Sequence, residues 1–240
     1  MEQIVSLLNV TKKYQDVSAL NNISFTLSQG DTLGYLGPNG SGKTTTLKAM
    51  LGLVRYQAGD IKLLGHDVKT EYNMLYGKIG VLFDENGLYE RMTAVENMDF
   101  FLSAYGRRDL LPKAMELLGE LELRDTGKKR VSTFSKGMKR KLALARAMSI
   151  QPQLLLLDEP FDGIDIENRS RVIRFIREYQ TAHNITMMLT THVMADIKEL
   201  ASRLIILKEG CLITDETIEV FSQRSGASLT EKYLEVVKSE

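Results

Sequence analysis

The sequence predicts an α/β fold with a mostly parallel sheet, an N-terminal antiparallel β region and an inserted α-helical lobe. Two patterns carry this prediction. Short apolar runs alternate with polar helical segments from Leu154 to Leu207, which is typical of a parallel sheet with helices on both faces. Nearer the N-terminus, Thr32-Leu-Gly-Tyr-Leu36 has the length and apolar character of a buried strand, and a glycine-rich turn follows it directly.

Strands are predicted on both sides of this turn. Apolar and polar residues alternate from Ile23 to Leu27, so one face of that strand is expected to be buried. A turn at Gly59-Asp60 precedes another short strand, Ile61 to Leu64. Between these strands, a helix is predicted from Thr44 to Leu53.

The lobe is predicted to be helical because apolar residues in the middle of the chain recur at helical spacing. Thr93 and Glu96 have the spacing of a capping box, in which each side chain satisfies a main-chain N–H at the start of a helix. Further helices are expected from Leu111 to Leu121 and from Lys136 to Ser149. We expect the lobe to cover residues of about 85–150.

After the lobe, three apolar strands are predicted to alternate with two helices. The strands are Leu154–Leu157, Thr186–Thr190 and Leu204–Leu207, and the helices cover about 167–183 and the residues after His192. The carboxyl ends of parallel strands meet at one edge of a sheet, so the residues after these strands are expected to share that edge.

The glycine-rich turn has the spacing of a phosphate-binding loop. Gly37-Pro-Asn-Gly-Ser-Gly-Lys43-Thr44, called the phosphate loop below, fits the pattern G-x-x-x-x-G-K-[ST]. Its glycines let successive main-chain N–H groups turn toward phosphate oxygens at a helix N-terminus. We expect Lys43 to reach the β- and γ-phosphates and the Thr44 hydroxyl to ligate Mg²⁺.

Two carboxylates follow the apolar strand that begins at Leu154. Asp158 is expected to hold Mg²⁺, and Glu159 to orient or deprotonate an attacking water. The alternative is that both are solvated acids where a strand stops. The phosphate loop upstream favours the functional interpretation, because position in the fold and chemistry then agree.

Four further residues are weaker candidates. His192 follows a predicted strand, where an imidazole can donate to the γ-phosphate or the attacking water, although a lone histidine there is more often structural. Ser135 and Gly137 begin a predicted helix whose N–H groups can bind an anion; the alternative is an ordinary capped helix. Tyr14 can stack on a base, or it is a surface tyrosine of a strand.

Composition restricts the class of protein. Lys plus Arg and Asp plus Glu are equal at 31 each, which gives no bulk electrostatic reason to expect nucleic acid. The basic run from Gly127 to Lys141 lacks interleaved aromatic residues and is interpreted as a solvated face. The single cysteine, Cys211, fits a reducing cytosol, and the N-terminus lacks the pattern of a signal peptide. No apolar run approaches the length of a membrane span, so if the protein acts on a membrane process, another chain must supply the membrane part.

Together and in this order, these motifs resemble the nucleotide-binding subunit of ATP-binding cassette (ABC) transporters, from about Ile4 to Thr217. The matching segments are Gly37–Thr45 for Walker A, Phe134–Met138 for the signature, Leu154–Glu159 for Walker B, Asp162–Asp165 for the D-loop, His192 for the switch histidine and Tyr14 for the A-loop. Asp84 stands where the Q-loop glutamine is usual, and Lys136 and Met138 replace a glycine and a glutamine. The form Ser-Lys-Gly-Met resembles single-domain ATPases of bacterial exporters.

The resemblance implies a P-loop core in one domain, residues 1–217, followed by a short tail, 218–240. It implies ATP and Mg²⁺ as cofactors, with Lys43, Glu159 and His192 as catalytic residues. Metal ligands would be Thr44, Asp84 and Asp158. The nucleotide would contact Tyr14, Gly37, Pro38, Asn39, Gly40, Ser41, Gly42, Lys43, Thr44, Thr45, Ser135 and Gly137.

The partners that the resemblance implies are a second ATPase subunit and a membrane permease. In the head-to-tail dimer, Ser135 and Gly137 of one protomer would cover the ATP held by the other. The permease would place this chain in the cytoplasm, at the inner face of the cell membrane. We expect the ATPase to power export of a drug, a peptide antibiotic or a lipid-like substrate.

Other functions remain open at this point. An importer ATPase is the alternative within the transporter class. Soluble ABC proteins of DNA repair carry long coiled coils, and those of translation usually carry two cassettes; neither feature is found here. A P-loop kinase is disfavoured by Glu159 and by the Ser135 signature.

Overall fold

The structure of the protein is a computed structural model, and it describes residues 2–223 and 228–238. The chain divides into two compact units. The first unit consists of Met1–Leu75 together with Thr186–Glu240, and the second consists of Tyr76–Ile185. The second unit therefore contains the predicted lobe together with strands and a helix that flank it. The domain boundaries predicted from the sequence, at 217 and around the lobe, stay a prediction.

An antiparallel sheet lies in the first unit, as predicted for the N-terminal region. It contains β1 (Gln3–Tyr14), β2 (Val17–Ser28), β4 (Ala58–Leu63) and β5 (His66–Asp67), in the order β2-β1-β4-β5. All three pairings are antiparallel. The alternating apolar side chains from Ile23 to Leu27 are buried, so the predicted half-buried strand is confirmed.

The first unit also holds four hydrogen-bonded strands of a mostly parallel arrangement. They are β3 (Thr32–Leu36), β8 (Thr186–Thr191), β9 (Arg203–Lys208) and β10 (Cys211–Thr217), in the order β10-β9-β3-β8. β3 runs parallel to both of its neighbours, and β10 is antiparallel to β9. Every residue of β3 and β8 is buried, as expected for parallel strands that are covered on both faces.

Helix α1 (Lys43–Met50) follows the phosphate loop and ends three residues earlier than the predicted Leu53. The physical reason is Gly52, which has φ 67°. A left-handed residue just beyond the last turn ends an α-helix, and here the N–H of Leu53 bonds back to the carbonyl of Lys48 at 2.9 Å. The other helices of this unit are α6 (Met194–Leu200), α7 (Ile218–Gln223) and α8 (Leu229–Lys238).

The second unit contains the parallel pair β6 (Ile79–Leu82) and β7 (Leu154–Asp158). Both strands are predominantly buried. Its long helix, α5 (Ile166–His183), begins one residue before the predicted start, because the Asp165 side chain accepts the N–H of Asn168 at 3.0 Å and so caps the helix.

The lobe within the second unit is built from α2 (Ala94–Ala104), α3 (Leu111–Glu120) and α4 (Lys136–Ser149). The predicted capping box is confirmed: Thr93 Oγ1 accepts the N–H of Glu96 at 3.2 Å, and Glu96 accepts the N–H of Thr93 at 2.7 Å. Both α2 and α3 pack against α4. Across residues 2–223 and 228–238, no helix combines the length and apolar character needed to cross a membrane.

Candidate active site

The phosphate loop lies between β3 and α1 and encloses the side chain of Lys43. Lys43 is 7% exposed, and its Nζ donates to the carbonyl oxygens of Gly37 at 2.7 Å and Pro38 at 3.1 Å. The ammonium is therefore held inside the curve of its own loop. A Cβ on Gly42, which has φ 109°, would stand 2.4 Å from the carbonyl of Ala19, so this position requires glycine.

One buried hydroxyl of the phosphate loop indicates that the loop fits an anionic ligand. Ser41 is 2% exposed, and in the part of the chain that the structure describes its Oγ has no hydrogen-bond partner. Its main chain is fixed on both sides, because its N–H donates to Pro38 and its carbonyl accepts from Gly210. A buried hydroxyl normally finds a partner, so a phosphate oxygen is a chemically suitable one.

His192 and the phosphate loop leave the same edge of the first unit's strands. In the parallel register of β3 and β8, Leu36 pairs with Thr191. Gly37 and His192 are the next residues on the two strands, so they emerge side by side. The Thr191 hydroxyl accepts the N–H of Val193 at 3.0 Å and contacts the Asp196 carboxylate at 3.2 Å, which fixes the turn that presents His192.

Tyr14 is the last residue of β1 and is 47% exposed. The ammonium of Lys12 lies 4.3 Å from the centre of its ring, at the distance of a cation–π contact. An exposed ring is consistent with base stacking, but nothing in the structure tests that role, so it stays a prediction.

In the second unit, the acidic candidates share the carboxyl edge of β6 and β7. Leu82 pairs with Leu157 in the parallel register, so Asp84 and Asp158 follow at the same edge. Asp158 is 1% exposed, whereas Asp84 is on the surface. Glu159 has φ 47°, in the left-handed region that is uncommon for a residue with a side chain.

Arg140, which the sequence analysis did not select, ties these two strand ends together. One terminal nitrogen donates to the carbonyl of Phe83 at 2.7 Å, to that of Asp84 at 3.3 Å and to Asn86 Oδ1 at 3.1 Å. The other donates to the carbonyls of Asp158 and, at 2.6 Å, Glu159. A single guanidinium thus fixes the main chain on both sides of the acidic edge.

The interpretation of the basic run as a solvated face is wrong for its last two residues. Arg140 is 2% exposed and Lys141 is 8% exposed. Lys141 bonds to Glu122 at 3.2 Å, and Glu122 also accepts from Arg171 at 2.7 Å. Charged side chains can be buried when they are paired, and the partners here are distant in sequence, so periodicity alone did not show them.

The guanidinium of Arg140 lies near four carboxylates. Burial lowers the pKa of Arg140 from its ordinary value, and the nearby carboxylates of Asp84, Asp162, Asp158 and Glu159 act in the opposite direction. A guanidinium titrates far above neutral pH in any case, so Arg140 stays charged and reduces the repulsion among these acids. The excess negative charge that Asp84 brings to this edge is therefore offset in part by the protein.

Ser135 is the N-cap of α4, as predicted, and its Oγ accepts the N–H of Met138 at 3.2 Å. Gly137 lies in the first turn of that helix. The structure thus places Tyr14, the phosphate loop, Thr45 and His192 in the first unit. It places Asp84, Ser135, Gly137, Asp158 and Glu159 in the second unit.

Comparison with known proteins identifies a family for this arrangement. The sequence model of the family described as "ABC transporter" matches residues 20–162, which is more than half of the chain. The bacitracin transport ATP-binding protein BcrA of Bacillus licheniformis is 31% identical over 242 residues, which span 100% of this chain and 76% of that protein.

Two solved structures are similar along nearly their whole length. An ATP-binding subunit of an ABC transporter has a TM-score of 0.88 and 26% identity, covering 98% of this chain and 100% of its own. A dimeric bacterial ABC transporter cassette, MJ0796, has a TM-score of 0.81 and 25% identity, covering 90% and 99%. The predicted α/β fold is confirmed by these similarities.

Proposed function

The chain belongs to the ABC transporter family, and we propose that it is the subunit that binds and hydrolyses ATP to power export through a separate membrane subunit. The observation that carries the ATP-binding role is the phosphate loop, which encloses the buried Lys43. The loop follows β3 at the same sheet edge at which His192 follows β8. Export, rather than import, is supported by the name of the similar protein BcrA, which describes bacitracin transport. A drug, a peptide antibiotic or a lipid-like molecule is the proposed class of substrate.

We assign separate roles to the residues of the two strand edges. Lys43 binds the β- and γ-phosphates, and the N–H groups of the loop bind the remaining phosphate oxygens. Glu159 orients the attacking water and accepts its proton. His192 donates a hydrogen bond to the γ-phosphate or to that water. These roles rest on position and chemistry together, because each residue follows a strand at its carboxyl end.

We also propose that the protein binds Mg²⁺, on the chemistry of three oxygen donors. A threonine hydroxyl, Thr44, and two carboxylates, Asp84 and Asp158, supply the oxygen ligands that this cation prefers. When bound, the ion neutralises charge on the phosphates and orients them. The buried Asp158 is the stronger candidate of the two acids, because its side chain stays fixed at the end of β7.

A head-to-tail dimer is part of the proposal. Ser135 and Gly137 offer main-chain N–H groups at the start of a 14-residue helix, where the helix dipole favours an anion. We propose that these groups cover the ATP bound by the other protomer. The similar cassette MJ0796 is described as dimeric, which supports the assembly.

The membrane subunit is proposed to dock on the lobe face, defined here as residues 84–105. Tyr89 and Phe100 are 49% and 45% exposed and pack edge to face, with ring centres 4.6 Å apart. Asn97 braces the loop on α2, accepting the N–H of Tyr89 at 2.8 Å and donating to its carbonyl at 3.0 Å. An exposed aromatic pair, with one ring on a braced loop and the other on α2, is suited to bind a protein partner. Docking would place the chain at the inner face of the membrane.

The test is a nucleotide-trapping experiment on Glu159→Gln. The amide keeps the shape of the side chain but cannot accept the proton, so we expect turnover to fall by about 10²-fold or more while ATP stays bound. Light scattering should show that this variant dimerises with ATP and Mg²⁺ and dissociates with ADP.

Lys43→Ala is the control variant, and it should lose nucleotide binding rather than trap it. Unimpaired turnover in Glu159→Gln would refute the role of Glu159 as the base. A wild-type protein that neither retains nor hydrolyses ATP would refute the proposed function as a whole.

A further inference from the structure

Lys136 and Asp162 form an ion pair that joins the first turn of α4 to the loop after β7. Lys136 Nζ donates to Asp162 Oδ2 at 2.7 Å. Lys136 lies directly after Ser135, and Asp162 lies three residues after Glu159. The pair therefore links the segment proposed to cover ATP with the segment that carries the proposed base.

The same two segments are in close main-chain contact. A Cβ on Gly137 would lie 2.8 Å from the carbonyl oxygen of Gly163, so the helix and the loop approach as closely as they do only because Gly137 has no side chain. The aliphatic part of Lys136 covers Gly163, where an added Cβ would lie 2.6 Å from the Lys136 side chain. The ion pair therefore lies over a loop whose main chain is already in contact with the helix.

Asp162 transmits this contact to Glu159 through the main chain. The N–H of Asp162 donates to the carbonyl of Glu159 at 3.1 Å. That carbonyl also accepts from Arg140, which lies one helical turn after Lys136 on α4. Two cations at positions i and i+4 of one helix thus hold the same turn, one through a side chain and one through carbonyls.

We propose that Lys136 is a positioning residue for hydrolysis: by holding Asp162 it fixes the 159–163 turn, and with it the orientation of Glu159. The inference rests on the proposed function, since it assumes that Glu159 acts on the attacking water. Lys136 itself has no contact with the reacting atoms in this assignment. Its effect reaches them through Asp162 and the main chain of the turn.

The Lys136–Asp162 ion pair lies at the surface of the protein. The side chains of Lys136 and Asp162 are 67% and 47% exposed, and exposed ion pairs contribute little to global stability. The hydrogen bond to Asp162 raises the pKa of Lys136, and the hydrogen bond to Lys136 lowers the pKa of Asp162. Both groups are therefore charged over a wide range around neutral pH, and substitutions should leave the protein folded.

The experiment compares Lys136→Gln and Asp162→Asn with the conservative variant Lys136→Arg, which keeps a cation that can pair with Asp162. We expect each of the first two variants to lower kcat by about two- to fivefold, the size that loss of an exposed ion pair allows, with the KM for ATP unchanged. Lys136→Arg should retain most of the wild-type kcat. The matched control is Lys139→Gln, on the same helix, which removes a pair with Glu90 of 2.6 Å and should keep wild-type kcat.

Amide hydrogen exchange measures how firmly the 159–163 turn is held, and it does not depend on ATP hydrolysis. In Lys136→Gln and Asp162→Asn, the amides of Asp162 and Ile164, which close the turn, should exchange about two- to fivefold faster than in the wild type. The Lys139→Gln control should show no change there. If wild-type protein fails to hydrolyse ATP, the proposed function fails, while the exchange rates still report on the turn.

Two outcomes would overturn the inference. Unchanged exchange at these amides would show that the ion pair does not hold the turn. A raised KM for ATP in Lys136→Gln, with Asp162→Asn unaffected, would show that the Lys136 charge acts on nucleotide directly.

Discussion

The guanidinium of Arg140 donates a 2.6 Å hydrogen bond to the main-chain carbonyl of Glu159. The carbonyl is a fixed acceptor, so this bond orients the peptide of Glu159 whatever its carboxylate does. The same guanidinium holds the carbonyl of Phe83, at the end of the neighbouring strand β6. The edge that carries Asp84, Asp158 and Glu159 is thus held together from α4.

Arg140→Lys should therefore damage catalysis although it keeps the charge. A lysine has one nitrogen and cannot span the carbonyls on both strands, so buried carbonyls lose their donor at a cost of about 1–3 kcal/mol of folding free energy. We expect a lower melting temperature and a kcat reduced by about tenfold or more. Thermal denaturation and steady-state ATPase assays measure both. Arg174→Lys on the exposed side of α5 is the control, and wild-type kcat in Arg140→Lys would contradict the assignment.

Asp84 is expected to make hydrolysis unusually sensitive to Mg²⁺. An ionised aspartate offers only acceptors, whereas glutamine also offers an N–H donor to the attacking water. Asp84→Gln should flatten the dependence of ATPase rate on Mg²⁺ concentration and retain activity.

Glu85→Ala is the comparison for Asp84→Ala in the same titration, because Glu85 is the next acid along the exposed loop. A large change that occurs only in Glu85→Ala would move the metal-proximal position by one residue. It would also remove the reason to include Asp84 among the ligands.

Substitution of the exposed lobe face should separate docking from hydrolysis. Leu88→Glu or Tyr89→Glu places a carboxylate on the surface proposed to bind the membrane subunit. Docking would bury this carboxylate without an ion-pair partner, and burying an unpaired charge is costly. Basal ATPase should stay at the wild-type rate while co-purification with the membrane subunit is lost. Tyr72→Glu is a matched control, because Tyr72 is 45% exposed and lies outside the lobe face. If the complex survives both lobe-face variants, the docking surface lies elsewhere.

Thr93→Ala should destabilise the protein by about 1 kcal/mol, because the N-terminal N–H of Glu96 loses its acceptor. Thr93→Ser keeps the acceptor and should stay near wild type. Urea denaturation monitored by circular dichroism measures the difference. Equal stability of the Thr93→Ala and Thr93→Ser variants would show that the cap contributes nothing.

The capping box also predicts a dependence on pH. The main-chain N–H of Thr93 lowers the pKa of Glu96 below its ordinary value of 4.5. A group with a lowered folded-state pKa contributes stability above its unfolded pKa and loses it as the pH falls through the folded value. Glu96→Gln should therefore lose less stability than the wild type as the pH falls below 4.5. An identical dependence of stability on pH in both proteins would show that the Glu96 carboxylate does not stabilise the fold.

Local patterns predicted those elements whose boundaries are set by neighbouring residues. The limits of α4 coincide with the prediction because the Ser135 cap is a local signal. The apolar pattern of α1 continues to Leu53, whereas the left-handed Gly52 ends the helix before it. Arg140 was missed for a different reason. Its acceptors lie 18 to 57 residues away, so only the folded chain brings them within reach.

The exposed ring at the end of β1 has a spectroscopic consequence. The chain contains nine tyrosines and no tryptophan, so Tyr14→Trp would introduce the only indole fluorophore. Fluorescence excited at the long-wavelength edge of the absorption band, where indole absorbs and tyrosine does not, would then come from this one residue beside the Lys12 ammonium. Quenching or a shift of that emission on addition of nucleotide would report an aromatic base against the ring, in real time and without a label.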